Sequence, residues 1–109
     1  MAKKRDGKIE MILETKVMPY LYEVRKYAPI ERAYIFGSWT KKKQRRNSDI
    51  DVCVVSSAFT TWDKTVKSLS RSMRQEWSPI EPHGMHTSDF KPSENPVAYE
   101  VVKHGIRII

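Results

Sequence analysis

Residues 34–55 read YIFGSWTKKKQRRNSDIDVCVV. Two apolar runs, YIF and VCVV, flank a Gly-Ser pair, a loop with five basic residues in the six positions 41–46, and two aspartates one residue apart. A strand, loop, strand reading places Asp49 and Asp51 on an element whose other side chains require burial. Strand side chains alternate between faces, so the aspartates share one face while Ile50 and Val52 point to the other, into the core. With a rise of ~3.3 Å per residue, their Cα atoms lie ~6.5–7 Å apart. Two anions held that close repel, and a hard divalent cation taking oxygens from both relieves the repulsion.

An isolated Asp-x-Asp has a plainer reading, in which the pair solvates a sheet edge or meets Arg45 and Arg46. Gly37-Ser38 upstream favours the cation. A strand runs there into a tight turn, glycine permits close backbone approach, and a following helical turn aims N–H groups at an anion. Ser38 adds a hydroxyl donor. A phosphate cradle on one strand end beside a carboxylate pair on the next strand is the minimum apparatus for a cation-bound triphosphate.

Working outward, Ile9, Ile12, Leu13, Val17, Tyr20, Leu21, Val24 and Tyr27 follow steps of three and four and predict a helix with one apolar face, which Pro19 kinks or divides. The first strand spans Glu31 to Phe36 and the second Ile50 to Val55. Thr60, Thr61 and Asp63 mark a helix start, and Trp62, Val66, Leu69, Met73 and Trp77 form its predicted core stripe. Pro79 to Met85 reads as a third strand, confined by Pro82 to an edge or a strand end. Asn95 caps a helix with Pro96 in its first position and Gly105 at its stop, and Ile106 to Ile109 closes the order as a fourth strand. The expectation is an α+β fold, a small mixed sheet with helices mainly on one face.

The chain has 109 residues, suited to one compact domain, with a helical segment 1–29 and a core 30–109. Its composition, 39% hydrophobic and 30% charged with three Trp, five Tyr and three Phe, supplies a core and excludes disorder. The single cysteine, Cys53, excludes an internal disulfide and reads as a buried thiol. No run approaches the ~20 apolar residues of a membrane span and MAKKRDGKIE lacks a signal-like apolar core, so a cytoplasmic location is expected. The net charge of +7 admits nucleic acid as a partner, but the recurring RNA-binding signatures are absent. Lys41, Lys42, Lys43, Arg45 and Arg46 have two open readings, a solvated loop or a contact surface for triphosphate or an acidic acceptor.

The stretch GSWTKKKQRRNSDID resembles the signature of the DNA polymerase beta-like nucleotidyltransferase superfamily, and the size is similar to its minimal, MNT-type members. The downstream IEPHGMHTSDF and NPVAYEVVKHGIRI extend the likeness over roughly residues 30 to 109. Where the family often carries a loop glycine, this chain has Lys42. The resemblance implies that Gly37 and Ser38 hold a triphosphate, with Ser48 and Lys41 beside it, and that Asp49 and Asp51 bind two Mg²⁺ ions. It also implies a third carboxylate on a later strand, catalytic and metal-binding, which Glu81 matches best, with Asp89 as the alternative. His83, two residues from Glu81 and on its face if that strand forms, is either exposed or a supporting group. Three residues apart on a strand, His83 and His86 would face opposite sides, and no cysteine pair stands nearby, which argues against a structural zinc site.

The activity implied is transfer of a nucleoside monophosphate, AMP from ATP or another NTP, to an acceptor hydroxyl. At 109 residues no acceptor-binding domain is expected within the chain, so the acceptor or a partner, a second protein or another copy, is expected to supply that surface. For MNT proteins the resemblance implies a HEPN-type toxin, with the chain as antitoxin and a toxin tyrosine as acceptor. Two other functions stay open: an antitoxin of the same fold that covers its partner without catalysis, and a basic nucleic-acid-binding module.

Overall fold

The computed structural model describes residues 6–41 and 48–109. Lys42, Lys43, Arg45 and Arg46 lie outside them. The N-terminal segment runs as α1 (Gly7–Ile12), a π-helical turn (Leu13–Val17) and α2 (Met18–Val24), with Asp6 accepting from the Ile9 N–H as N-cap. The wide turn sits directly before Pro19, whose ring would clash with the carbonyl four residues back in a regular helix. The expected division is thus a local widening, and the apolar face stays continuous: Ile9, Ile12, Leu13, Val17, Tyr20, Leu21 and Val24 are all buried. Tyr27, beyond the last turn, is exposed.

Four strands follow: β1 (Arg32–Phe36), β2 (Ile50–Ser56), β3 (Ile80–His86) and β4 (Ile106–Arg107), in the sheet order β3-β2-β1-β4. β1 pairs antiparallel with β2 and with β4, whereas β2 and β3 are parallel. A parallel pair needs a crossover, and α3 (Trp62–Ser72) supplies it. β3 is an edge strand, as Pro82 requires. β4 is shorter than the sequence predicts.

Alternation sorts the sheet into two faces. Ala33, Ile35, Ile50, Val52 and Val54 pack with the N-terminal helix, Leu69 and Ile80 in the main core. Tyr34, Phe36, Cys53 and Val55 form a smaller cluster on the other face with Val101 of α4 (Pro96–His104) and Phe90. Burial pushes the Cys53 thiol up to about 12, as its reading as an inert buried group requires. α4 is capped by Asn95, which accepts from the Val97 and Ala98 N–H groups.

The predicted core stripe of α3 is corrected. Trp62 is 83% exposed and Val66 is also exposed, while the buried positions are Thr65, Leu69 and Ser72. The reason lies across the interface: a Cβ on Gly84 of β3 would come 2.3 Å from Thr65 Cγ2 and 3.0 Å from Leu69 Cδ1. The backbone of β3 thus meets α3 at Thr65 and Leu69, and Trp62 and Val66 stand outside that contact. The helix ends at Ser72 with Met73 as C-cap, so Trp77 reaches the core from a separate 3-10 turn, edge-on to Tyr20. Among the described residues, no helix is long and apolar enough to cross a membrane.

Candidate functional site

β1 ends at Phe36 and the chain turns at Gly37-Ser38-Trp39, a single 3-10 turn. Gly37 has φ +78°, in the region that L side chains rarely adopt. Its carbonyl accepts from the Thr40 N–H at 3.2 Å, the Lys41 N–H at 3.3 Å and the Thr40 hydroxyl at 3.0 Å, which closes the turn. The glycine is required twice, because a Cβ there would lie 2.2 Å from Asp51 Oδ2. The turn and the Asp51 carboxylate are therefore in direct apposition, as the antiparallel register Phe36↔Asp51 dictates.

The parallel register sets Glu81 beside Asp51 and His83 beside Cys53, all on the face that α4 only partly covers. Ligand atoms of Asp51, Glu81 and His83 lie within 4.8 Å of one another. His83 Nε2 is 3.0 Å from Asp51 Oδ1 and 4.0 Å from Glu81 Oε1. Asp49 lies just before β2 begins, exposed, and its carboxyl hydrogen-bonds Glu81. That contact, loss of hydration and the charge of Asp51 hold the Glu81 carboxyl above the usual range, opposed by His83.

Glu81 thus stands beside both aspartates. Asp89 falls in a turn after the opposite end of β3, which at ~3.3 Å per residue is some ~16 Å along the strand from Glu81. Ser48 is half-buried next to Asp49. Lys41 ends the Gly-Ser turn with its ammonium on Glu100 of α4, an ion pair that a phosphate would have to displace. His83 is the site residue that sequence reasoning left unassigned; its only signal was the two-residue spacing from Glu81. His86, on the other face, bonds Ser88.

This donor set suits a hard divalent cation. Three carboxylates offer oxygens, the raised Glu81 carboxyl records the crowding of negative charge that a cation relieves, and Gly37 places no Cβ against Asp51 Oδ2.

Residues 21–109 match the family described as Polymerase beta, Nucleotidyltransferase. No curated protein matches the chain. Among solved structures, a candidate nucleotidyltransferase from Sulfolobus solfataricus has 20% identity, with 95% of this chain and 87% of that one covered and a TM-score of 0.64. A toxin-antitoxin with AMP-PNP has 19% identity, coverage of 83% and 69%, and a TM-score of 0.59. A mutant of the toxin-antitoxin MntA-HpeT has 17% identity, coverage of 80% and 67%, and a TM-score of 0.55. At such identities the likeness is one of fold. The family match, by contrast, starts inside α2 and takes in the turn and every carboxylate gathered around it, so the chain belongs to the polymerase beta family of nucleotidyltransferases.

Proposed function

We propose that the chain transfers a nucleoside monophosphate, AMP from ATP, to an acceptor hydroxyl in a Mg²⁺-dependent reaction, and that the acceptor belongs to a partner protein of the toxin class. The observation that carries this reading is Asp51 set against the Gly37 turn on one side and close to Glu81 on the other, with Asp49 in hydrogen-bond contact with Glu81. The partner is supported by the two toxin-antitoxin structures of similar fold, one of them with AMP-PNP. The resemblance to MNT proteins narrows it to a HEPN-type toxin and the acceptor to a tyrosine.

Asp49, Asp51 and Glu81 would hold Mg²⁺, two ions in the arrangement that the resemblance implies. Bound there, the cation supplies charge neutralisation for the phosphates and a lower pKa for the attacking hydroxyl. The chain's own residues provide positioning. The turn opened by the positive φ of Gly37 would offer the Ser38 N–H and hydroxyl as donors to the phosphates. The acceptor oxygen attacks the α-phosphorus, the bond to the pyrophosphate bridging oxygen breaks, and pyrophosphate leaves with that electron pair. Glu81, the carboxylate beside both aspartates, would take the hydroxyl proton.

The test is incubation with Mg²⁺ and ATP labelled at the α-phosphate, with and without a co-purified partner. Label on a partner tyrosine, lost in Asp49→Asn and Asp51→Asn, supports the reading. A partner neutralised equally well without label transfers the function to non-catalytic covering.

A further inference from the structure

We propose that His83 contributes an imidazole nitrogen to the cation bound by Asp51 and Glu81, so that this chain's site is a mixed carboxylate–imidazole centre that prefers a first-row transition metal ion over Mg²⁺. The inference rests on the proposed function in taking the carboxylates as the cation's seat, and goes beyond it in naming a nitrogen ligand and its selectivity.

The geometry is close to that of ligands around one ion. An octahedral ion with bonds of about 2.1 Å sets neighbouring ligand atoms roughly 3 Å apart and opposite ones roughly 4 Å apart. His83 Nε2 stands 3.0 Å from Asp51 Oδ1 and 4.0 Å from Glu81 Oε1. All three ligand atoms lie within 4.8 Å of one another, so small side-chain adjustments bring them into one coordination sphere.

The fold fixes the ring in place. Parallel pairing with β2 puts Glu81 and His83 on the face of Asp51. The Phe36 ring meets the imidazole edge-on, with centroids 5.1 Å apart and planes at 63°, and Phe36 is itself the register partner of Asp51. The imidazole is therefore held between the residue that ends β1 and the carboxylate that starts the site. At 36% exposure its side chain remains open to an ion arriving from solvent.

The chemistry then sets the preference. Mg²⁺ favours oxygen ligands and gives up water reluctantly, whereas first-row transition ions accept imidazole readily. The competing role for His83 is a hydrogen bond to Asp51 that orients the carboxylate without touching the ion. The two roles differ in whether nitrogen is bonded to the metal, which spectroscopy reads directly.

The experiment uses the full chain with Mn²⁺ as probe and pulsed electron paramagnetic resonance at mildly alkaline pH, with competition by Mg²⁺. The proposal expects nitrogen modulation from a coordinated imidazole in the wild type. In His83→Gln the modulation should vanish, Mn²⁺ should still bind, and the Mn²⁺ over Mg²⁺ preference should fall about tenfold. Bound Mn²⁺ without nitrogen modulation in the wild type, or modulation that survives His83→Gln, overturns it. Loss of Mn²⁺ binding in Asp51→Asn shows that the ion sits at the proposed centre; binding undiminished in that variant overturns the carboxylate reading as well, so the two failures are told apart.

Discussion

Gly37 and Asp51 compete for one volume: a Cβ on the glycine would lie 2.2 Å from the Oδ2 of the aspartate. The turn that follows β1 can therefore approach the carboxylate on β2 only because no side chain stands between them.

Gly37→Ala should fail on two counts. The φ of +78° costs an L residue about 1–2 kcal/mol, a drop of several degrees in Tm for a domain of this size. The new methyl also displaces the Asp51 carboxylate, so divalent-cation affinity falls in the fraction that remains folded. Thermal melts and metal titration separate the two effects.

Asp49→Asn and Asp51→Asn should keep the fold, since both side chains stand on a solvent-accessible face and neither fills the core. Cation-dependent transfer should drop by about two orders of magnitude or more, as expected when several kcal/mol of charge stabilisation are removed. Circular dichroism checks the fold and label transfer the activity.

Glu81 gives the stability curve a definite sign. Its folded-state carboxyl is raised first by the Asp49 contact, then by lost hydration and by Asp51, so the folded chain keeps a proton that the unfolded chain has released. Stability therefore falls as pH rises from the ordinary glutamate range through the raised value. Glu81→Gln should match the wild type below that window and exceed it above, by under about 1 kcal/mol because the side chain is half exposed. Melts across pH, repeated with Mg²⁺ to neutralise the crowded charges and flatten the wild-type curve, check it.

Gly84→Ala tests how β3 is seated. The added Cβ meets Thr65 Cγ2 at 2.3 Å and Leu69 Cδ1 at 3.0 Å, so α3 and β3 must part. A loss of about 1–3 kcal/mol follows from overpacking, read from denaturant midpoints. Shortening the obstacle with Thr65→Ser should recover part of it.

The turn and the aspartate pair were legible in the sequence because both rest on local rules: a strand running into Gly-Ser, and the two-residue alternation that puts Asp49 and Asp51 on one side. Glu81 followed from a resemblance, and only the parallel register Asp51↔Glu81 brings it into the site. His83 escaped assignment for the same reason, since its meeting with Asp51 depends on pairing between segments 32 residues apart. The reading of α3 failed where periodicity counted Trp62 and Val66 as core, while the helix face that meets Gly84 carries Thr65 and Leu69.

The most direct measurement is equilibrium binding of ATP to the wild type and to Asp51→Asn, with and without a divalent cation. Binding that needs the cation in the wild type, and is lost in a variant with unchanged Tm, is the predicted result. ATP bound equally by both chains, or bound without regard to the cation, would contradict the account.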